Sequence, residues 1–233
     1  MSKEINTDDI YNRTEIILGK ESIQKIKNSK VCICGIGGVG SFAMEALARI
    51  GVGHITVIDK DSVDVTNINR QLIATVDNVD IPKVKVGEER IKSINPNIDV
   101  KTHEIFITKD NITEYIDNTY DYVIDAIDSI DSKVALIKYC YDNNINVISS
   151  MGMANRISPL DIKVADLYKT KMCPLAKIMR KKLKELDVKK LKVVYSEEQA
   201  IKPNTKELGS VSFVPSVAGL VIASEVIKDI IKE

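Results

Sequence analysis

The loop Gly35-Ile36-Gly37-Gly38-Val39-Gly40 follows a short apolar run and opens a helical pattern. Glycines at Gly35, Gly37, Gly38 and Gly40 let a backbone pass close to a phosphate, and a helix N-terminus presents unpaired N–H groups to it. Asp59 lies 19 residues after Gly40, where a carboxylate takes a ribose hydroxyl. On these residues alone NAD fits as well as ATP, so a redox protein stays open, as does a tight turn holding no ligand. A second group shifts the balance. In D-K-D-S-V-D-V-T-N-I-N-R-Q, Asp59 and Asp61 precede Asn67, Arg70 and Gln71, and a short helix there would put Asn67 and Arg70 on one face. Lys83 begins the next helix. Asp128 is expected at the end of the fourth strand, an edge where a carboxylate suits magnesium. A dehydrogenase never cleaves its pyrophosphate and needs no such cations. A triphosphate attacked at its α-phosphorus must have its developing charge neutralised, work that suits an arginine fork and a lysine. A surface ion pair for Arg70 and a helix N-cap for Asp128 are the plain alternatives.

The elements that must position these groups alternate. KVCICG (30–35), HITVIDKD (54–61), IDVKTHE, DYVIDAID and INVISS read as strands. Residues 39–53, 82–96 (with proline at the first position) and 132–144 read as helices. The pattern predicts an α/β fold, a Rossmann-like doubly wound and mainly parallel sheet covered on both faces. Beyond Pro159 come a strand (DIKVADL), a loop at Thr170–Pro174, a basic helix at 175–186 and another strand (LKVVYSEE). An apolar helix at 214–231 suits a core or dimer interface better than a membrane, its uncharged run being short and broken by Pro215, Gly219 and Glu225. One domain over 1–233 is expected, with an ATP-binding half (1–159) and a substrate-binding and dimerisation half (160–233).

With 33 basic and 33 acidic residues the chain is formally neutral, so a polyanion must be met by a local patch. The N-terminus is too polar for a signal peptide, and no apolar run approaches membrane-spanning length. Cys32, Cys34, Cys140 and Cys173 form no C-x-x-C pair, which argues against a disulfide framework or structural zinc and for a reduced, cytoplasmic setting.

Taken in order, G-I-G-G-V-G, D-x-D, T-N-I-N-R-Q, I-P-K and D-A-I-D-S resemble the ThiF/MoeB/HesA superfamily, the ubiquitin-activating-type adenylating enzymes. The resemblance implies that the glycines and Asp59 hold the adenosine part of ATP. It assigns Asn67, Arg70 and Lys83 to the phosphates and Asp128 to Mg2+, with Asp61 and Gln71 in the same nucleotide-binding stretch. It also implies a homodimer in which an N-terminal arginine reaches the partner's site, Arg13 in Y-N-R-T-E being the match; by itself Arg13 is only a surface cation. NRTEIILGKESIQKI, YVIDAIDSIDSKVALIKYC, DLYKTKMCPLAKIMRKKLK and VVYSEE are similar to the tRNA threonylcarbamoyladenosine dehydratases, over nearly the whole chain. That branch adenylates the carboxylate of threonylcarbamoyladenosine beside the anticodon of ANN-decoding tRNAs. Ring closure then gives the cyclic form with release of AMP and pyrophosphate. A link to a cysteine desulfurase or sulfur-acceptor system stays open. So does adenylation of a ubiquitin-like or sulfur-carrier protein ending in Gly-Gly.

Other residues bear on that choice. Cys32 and Cys34, two apart in a strand, share one face and suit the core. Cys173 is the only cysteine expected in a loop, near the position of a crossover loop, but intramolecular ring closure requires no thioester. The branch's cysteine in its D-C-V-F-S-T-E-like strand is replaced by Val193. From Lys163 to Lys192 there are eleven Lys or Arg against three acids, Asp166, Glu185 and Asp187. Lys177, Arg180, Lys181, Lys182 and Lys184 would cover a helix surface suited to tRNA phosphates, or simply face solvent. Ser196 and Glu197 match positions that could guide ring closure. His54 and His103 lie away from the motifs, and a carboxylate already ionised needs no base.

Overall fold

Period-two alternation organises the sheet. In strand β1 (Lys30–Cys34), Val31 and Ile33 face one layer of helices, while Cys32 and Cys34 face the other. The computed structural model describes residues 7–202, 204–205 and 207–232. The other strands are β2 (His54–Ile58), β3 (Asp99–His103), β4 (Tyr122–Asp125), β5 (Val147–Ser150), β6 (Ile162–Asp166) and β7 (Lys192–Ser196). They form one seven-stranded sheet in the order β3-β2-β1-β4-β5-β7-β6. All neighbours run parallel except β6 against β7. The two strands that follow Pro159 therefore extend the same sheet.

The helices are α1 (Asn12–Leu18), α2 (Lys20–Asn28), α3 (Gly40–Ile50), α4 (Lys83–Ile94), α5 (Ile112–Tyr115), α6 (Ile130–Asp142), α7 (Pro174–Glu185) and α8 (Phe213–Lys232). α2, α3, α4 and α8 cover one face through Ile26, Leu47, Ile91 and Ile222. α5, α6 and α7 cover the other through Ile112, Leu136 and Met179. The apolar helix at the C-terminus is α8, a core helix whose buried side includes Val214, Ala218 and Val226. No helix among the described residues is long and apolar enough to cross a membrane.

The chain passes from β1 to β2 on one side and later to β4 on the other. β1 and β4 thus flank the switch point, where a crevice opens at the carboxyl ends of the strands. Three local expectations shift. β4 stops at Asp125, where its pairing with Cys34 and Ser149 ends, so Asp128 sits in the loop beyond and not on the strand. Pro82 precedes the first turn of α4 and does not occupy it. The short helix expected around Asn67 is a single 3-10 turn, Val65–Asn67, that ends before Arg70 and Gln71.

Candidate nucleotide site

A cavity of about 330 Å³ fills the crevice. Gly35, Gly37, Gly38, Asp59, Asp61, Arg70, Gln71, Lys83 and Asp128 all line it. The glycines divide by task. Gly35 has φ +85°, and a Cβ on Gly40 would stand 1.8 Å from the Gly35 carbonyl oxygen, so these two make the strand-to-helix turn possible. Gly40 forms the start of α3, while Gly37 and Gly38 face the cavity.

Asp59 ties this loop to the end of β2. Its Oδ2 accepts from the Ile36 N–H at 2.8 Å and its Oδ1 from the Asp61 N–H at 2.9 Å. Burial pushes its carboxyl above the ordinary value, against the pull of nearby Lys83. The Lys83 Nζ is itself buried, 3.2 Å from Asp61 Oδ2 and 3.9 Å from Asp59 Oδ1. Burial works against the Asp61 charge too, but Lys60 and Lys83 more than offset it and hold Asp61 below the ordinary range. An ammonium has three donors, so Lys83 can serve these acids and still meet a phosphate.

Arg70 is braced at one nitrogen. Its Nη1 donates to Thr66 O at 2.7 Å and to Asn69 Oδ1 at 2.9 Å, leaving the rest of the fork toward the cavity. Gln71 is buried, and its Oε1 has no partner among the described residues, a polar atom awaiting a ligand or a water. Asn67 is different. It lies buried under the turn, its Oδ1 accepting from the Asp64 N–H at 3.2 Å, and it is not among the cavity-lining residues.

Asp128 is exposed at the cavity mouth; the N-cap of α6 is Ser129. Beneath it runs an ion pair that sequence reasoning missed. Lys133 and Asp125 are fully buried at 2.8 Å, with Ser149 Oγ donating to Asp125 Oδ2 at 2.6 Å and the Ile127 N–H to Asp125 Oδ1 at 3.2 Å. The cavity walls were also missed: Ile105, Phe106 and Ile107 after β3, Met153 and Ala154 after β5, Leu208–Ser210, and Pro215 of α8. These apolar groups suit a base, and the polar floor suits phosphates.

Several expected residues lie elsewhere. Arg13 is exposed on α1 and does not line the cavity of its own chain. Ser196 is buried, its Oγ accepting from the Glu198 N–H at 3.1 Å, while Glu197 accepts from the Tyr195 hydroxyl at 2.6 Å; neither lines the cavity. The basic helix is not one uniform surface. Arg180 turns back to the Thr170 hydroxyl and carbonyl, and Lys182 pairs with Asp131 at 2.9 Å, leaving Lys177, Lys181 and Lys184 exposed. Cys173 does lie in the loop, as the extended residue just before α7, but its thiol is buried. It belongs to one apolar cluster with Met151, Met179 and Tyr195. Cys32 and Cys34 do share one buried face. His54 pairs with Asp99 and His103 packs on Tyr115, both away from the cavity.

Fold and cavity together define a Rossmann-like nucleotide-binding protein. The chain belongs to the ThiF family, whose model matches residues 11–233. It is 43% identical to the tRNA threonylcarbamoyladenosine dehydratase of Bacillus subtilis (strain 168), over 96% of this chain and 95% of that protein. It is 47% identical to the dehydratase of the same name from Escherichia coli (strain K12), over 75% of this chain and 65% of that protein. The crystal structure of the E. coli dehydratase in complex with ATP matches with a TM-score of 0.91 and 39% identity, covering 96% of this chain and 94% of that one.

Proposed function

We propose that this chain uses ATP to adenylate the carboxylate of threonylcarbamoyladenosine in tRNA and then drives its ring closure. The observation that carries this reading is the cavity between β1 and β4, where Arg70, Lys83 and Asp128 surround the glycine loop. It is supported by near end-to-end similarity to dehydratases of that name, one of them solved with ATP.

The substrate carboxylate attacks the α-phosphorus of ATP; the bond to pyrophosphate breaks and an acyl adenylate forms. Because the carboxylate is already an anion, the residues' work is alignment and charge neutralisation. Asp59 takes the ribose, Ile105–Ile107 the base, and Arg70 and Lys83 the phosphates. The lining groups Lys60, Arg70 and Lys83 are balanced by Asp59, Asp61 and Asp128, so the cavity itself cannot neutralise a triphosphate. Magnesium, when bound, supplies the missing charge, and exposed Asp128 together with phosphate oxygens would hold it. In the second step an atom of the same substrate attacks the acyl carbon and AMP leaves, so no thiol is required and buried Cys173 is spared a role.

A homodimer supports the site with Arg13 from the partner. Consistent with this, Ile16 and Ile17 on the same helix are 84% and 82% exposed. Residues 160–233 form the substrate and dimerisation half, with tRNA phosphates met by Lys177, Lys181 and Lys184. With all four cysteines buried, any link to a sulfur-transfer system runs through surface contacts and not a thiol of this chain. Acting on tRNA, the protein works in the cytoplasm. The test is incubation with ATP, Mg2+ and modified tRNA, followed by mass spectrometry of the nucleosides. Loss of one water with formation of AMP and pyrophosphate is expected; adenylation of a carrier protein alone sinks the reading.

A further inference from the structure

We infer that Asn69 is a positioning residue that couples the guanidinium of Arg70 to the Leu208–Ser210 wall of the cavity. Its side chain sits between them. Arg70 Nη1 donates to Asn69 Oδ1 at 2.9 Å, and Asn69 Nδ2 donates to the Ser210 carbonyl at 3.0 Å. These partners fix the amide's orientation. A flipped amide would set donor against donor and acceptor against acceptor.

The wall is gripped from the opposite side as well. Asn155, held in the left-handed region at φ +58°, receives the Gly209 N–H on its Oδ1 at 2.7 Å. Its own N–H goes to Gly209 O at 2.8 Å. Leu208, Gly209 and Ser210 are therefore clasped between the loop after β5 and the turn that carries Arg70. Asn69 is exposed, outside the cavity, and acts through Arg70 and not on the ligand. Two consequences follow from one amide: the phosphate-facing fork is oriented before ATP arrives, and the wall over the nucleotide is tied to that orientation.

The inference rests on the nucleotide reading of the cavity but not on which carboxylate is activated. Two substitutions separate its halves. Asn69→Ala removes both hydrogen bonds. Asn69→Asp keeps the acceptor for Arg70 and lacks the donor for Ser210. ATP-magnesium and AMP affinities are titrated without tRNA, and hydrogen exchange is followed at the Gly209 amide. Asn69→Ala should weaken ATP about tenfold, the lower end for one charge-assisted hydrogen bond, and leave AMP unchanged. Gly209 should exchange faster in both variants, and Asn69→Asp, whose new carboxylate also repels the phosphates, is read by that exchange alone. The inference is overturned if Asn69→Ala binds ATP as the wild type does, or if exchange at Gly209 is unchanged in either variant. Wild-type protein that binds ATP but fails to convert tRNA would overturn the substrate reading and leave this one standing.

Discussion

The nucleotide crevice and the outer face of α7 both collect charged side chains, and they hold them in opposite ways. In the crevice most charges have a fixed neighbour: Asp59 accepts two backbone N–H groups, Lys83 lies between two carboxylates, and Arg70 is braced by Thr66 and Asn69. On α7 the lysines left for a partner, Lys177, Lys181 and Lys184, stand in solvent, while Arg180 and Lys182 are spent within the chain. Fixed charge suits a transition state, whose geometry is always the same. Mobile charge suits a polyanion backbone, where affinity comes from counterion release and not from one geometry. A run of like charge in sequence therefore says little until each member's partner is known.

The sharpest way to break this contrast is Asp128→Ala. Turnover should fall about 10²-fold or more while thermal unfolding is unchanged, because the residue is exposed and bears no structural load. Near-normal turnover with magnesium would show that the fixed acids of the crevice suffice. Gly40→Ala tests the frame instead. Its methyl would overlap the Gly35 carbonyl, so stability should drop by about 2–3 kcal/mol in thermal or denaturant unfolding. Replacing Lys177 and Lys181 with glutamate should weaken tRNA binding roughly tenfold and flatten its salt dependence, with ATP affinity unaltered. If tRNA affinity holds, the α7 face is only a solvated surface.

The smallest effect concerns an ion cluster behind the crevice. Glu45 would be raised by burial, but hydrogen bonds from Arg90 and Arg49 prevail and hold it below the ordinary carboxylate value. Its stabilisation is therefore fully present above the unfolded value, about 4.3, and is lost as pH falls through the lowered folded one. Glu45→Gln should cost about 1 kcal/mol at neutral pH and soften the acid decline, read from melting temperature against pH.

Much of this was legible in the chain because the signals are local. The i, i+2 alternation of Val31 to Cys34 gives a buried strand, and Gly35 to Gly40 a phosphate turn. What was not legible depends on distant partners. β4 ends where its neighbours end, which moves Asp128 off the strand. Arg180 turns inward because Thr170, ten residues away, offers two acceptors. Asn67 belongs to its own turn, capping with Asp64, although the N-x-x-R spacing suggested a shared face with Arg70. The wall of Phe106, Met153, Leu208 and Pro215 is drawn from four segments that only the folded sheet brings together.

The most direct test of adenylation follows the oxygen atoms. With heavy oxygen placed in the threonyl carboxylate of the modified tRNA, attack on the α-phosphorus and subsequent ring closure must carry one labelled oxygen into AMP. Label in AMP, matched in amount to the cyclic nucleoside formed, is the predicted result. Cyclic product with unlabelled AMP, or with the label in inorganic phosphate, would contradict the account.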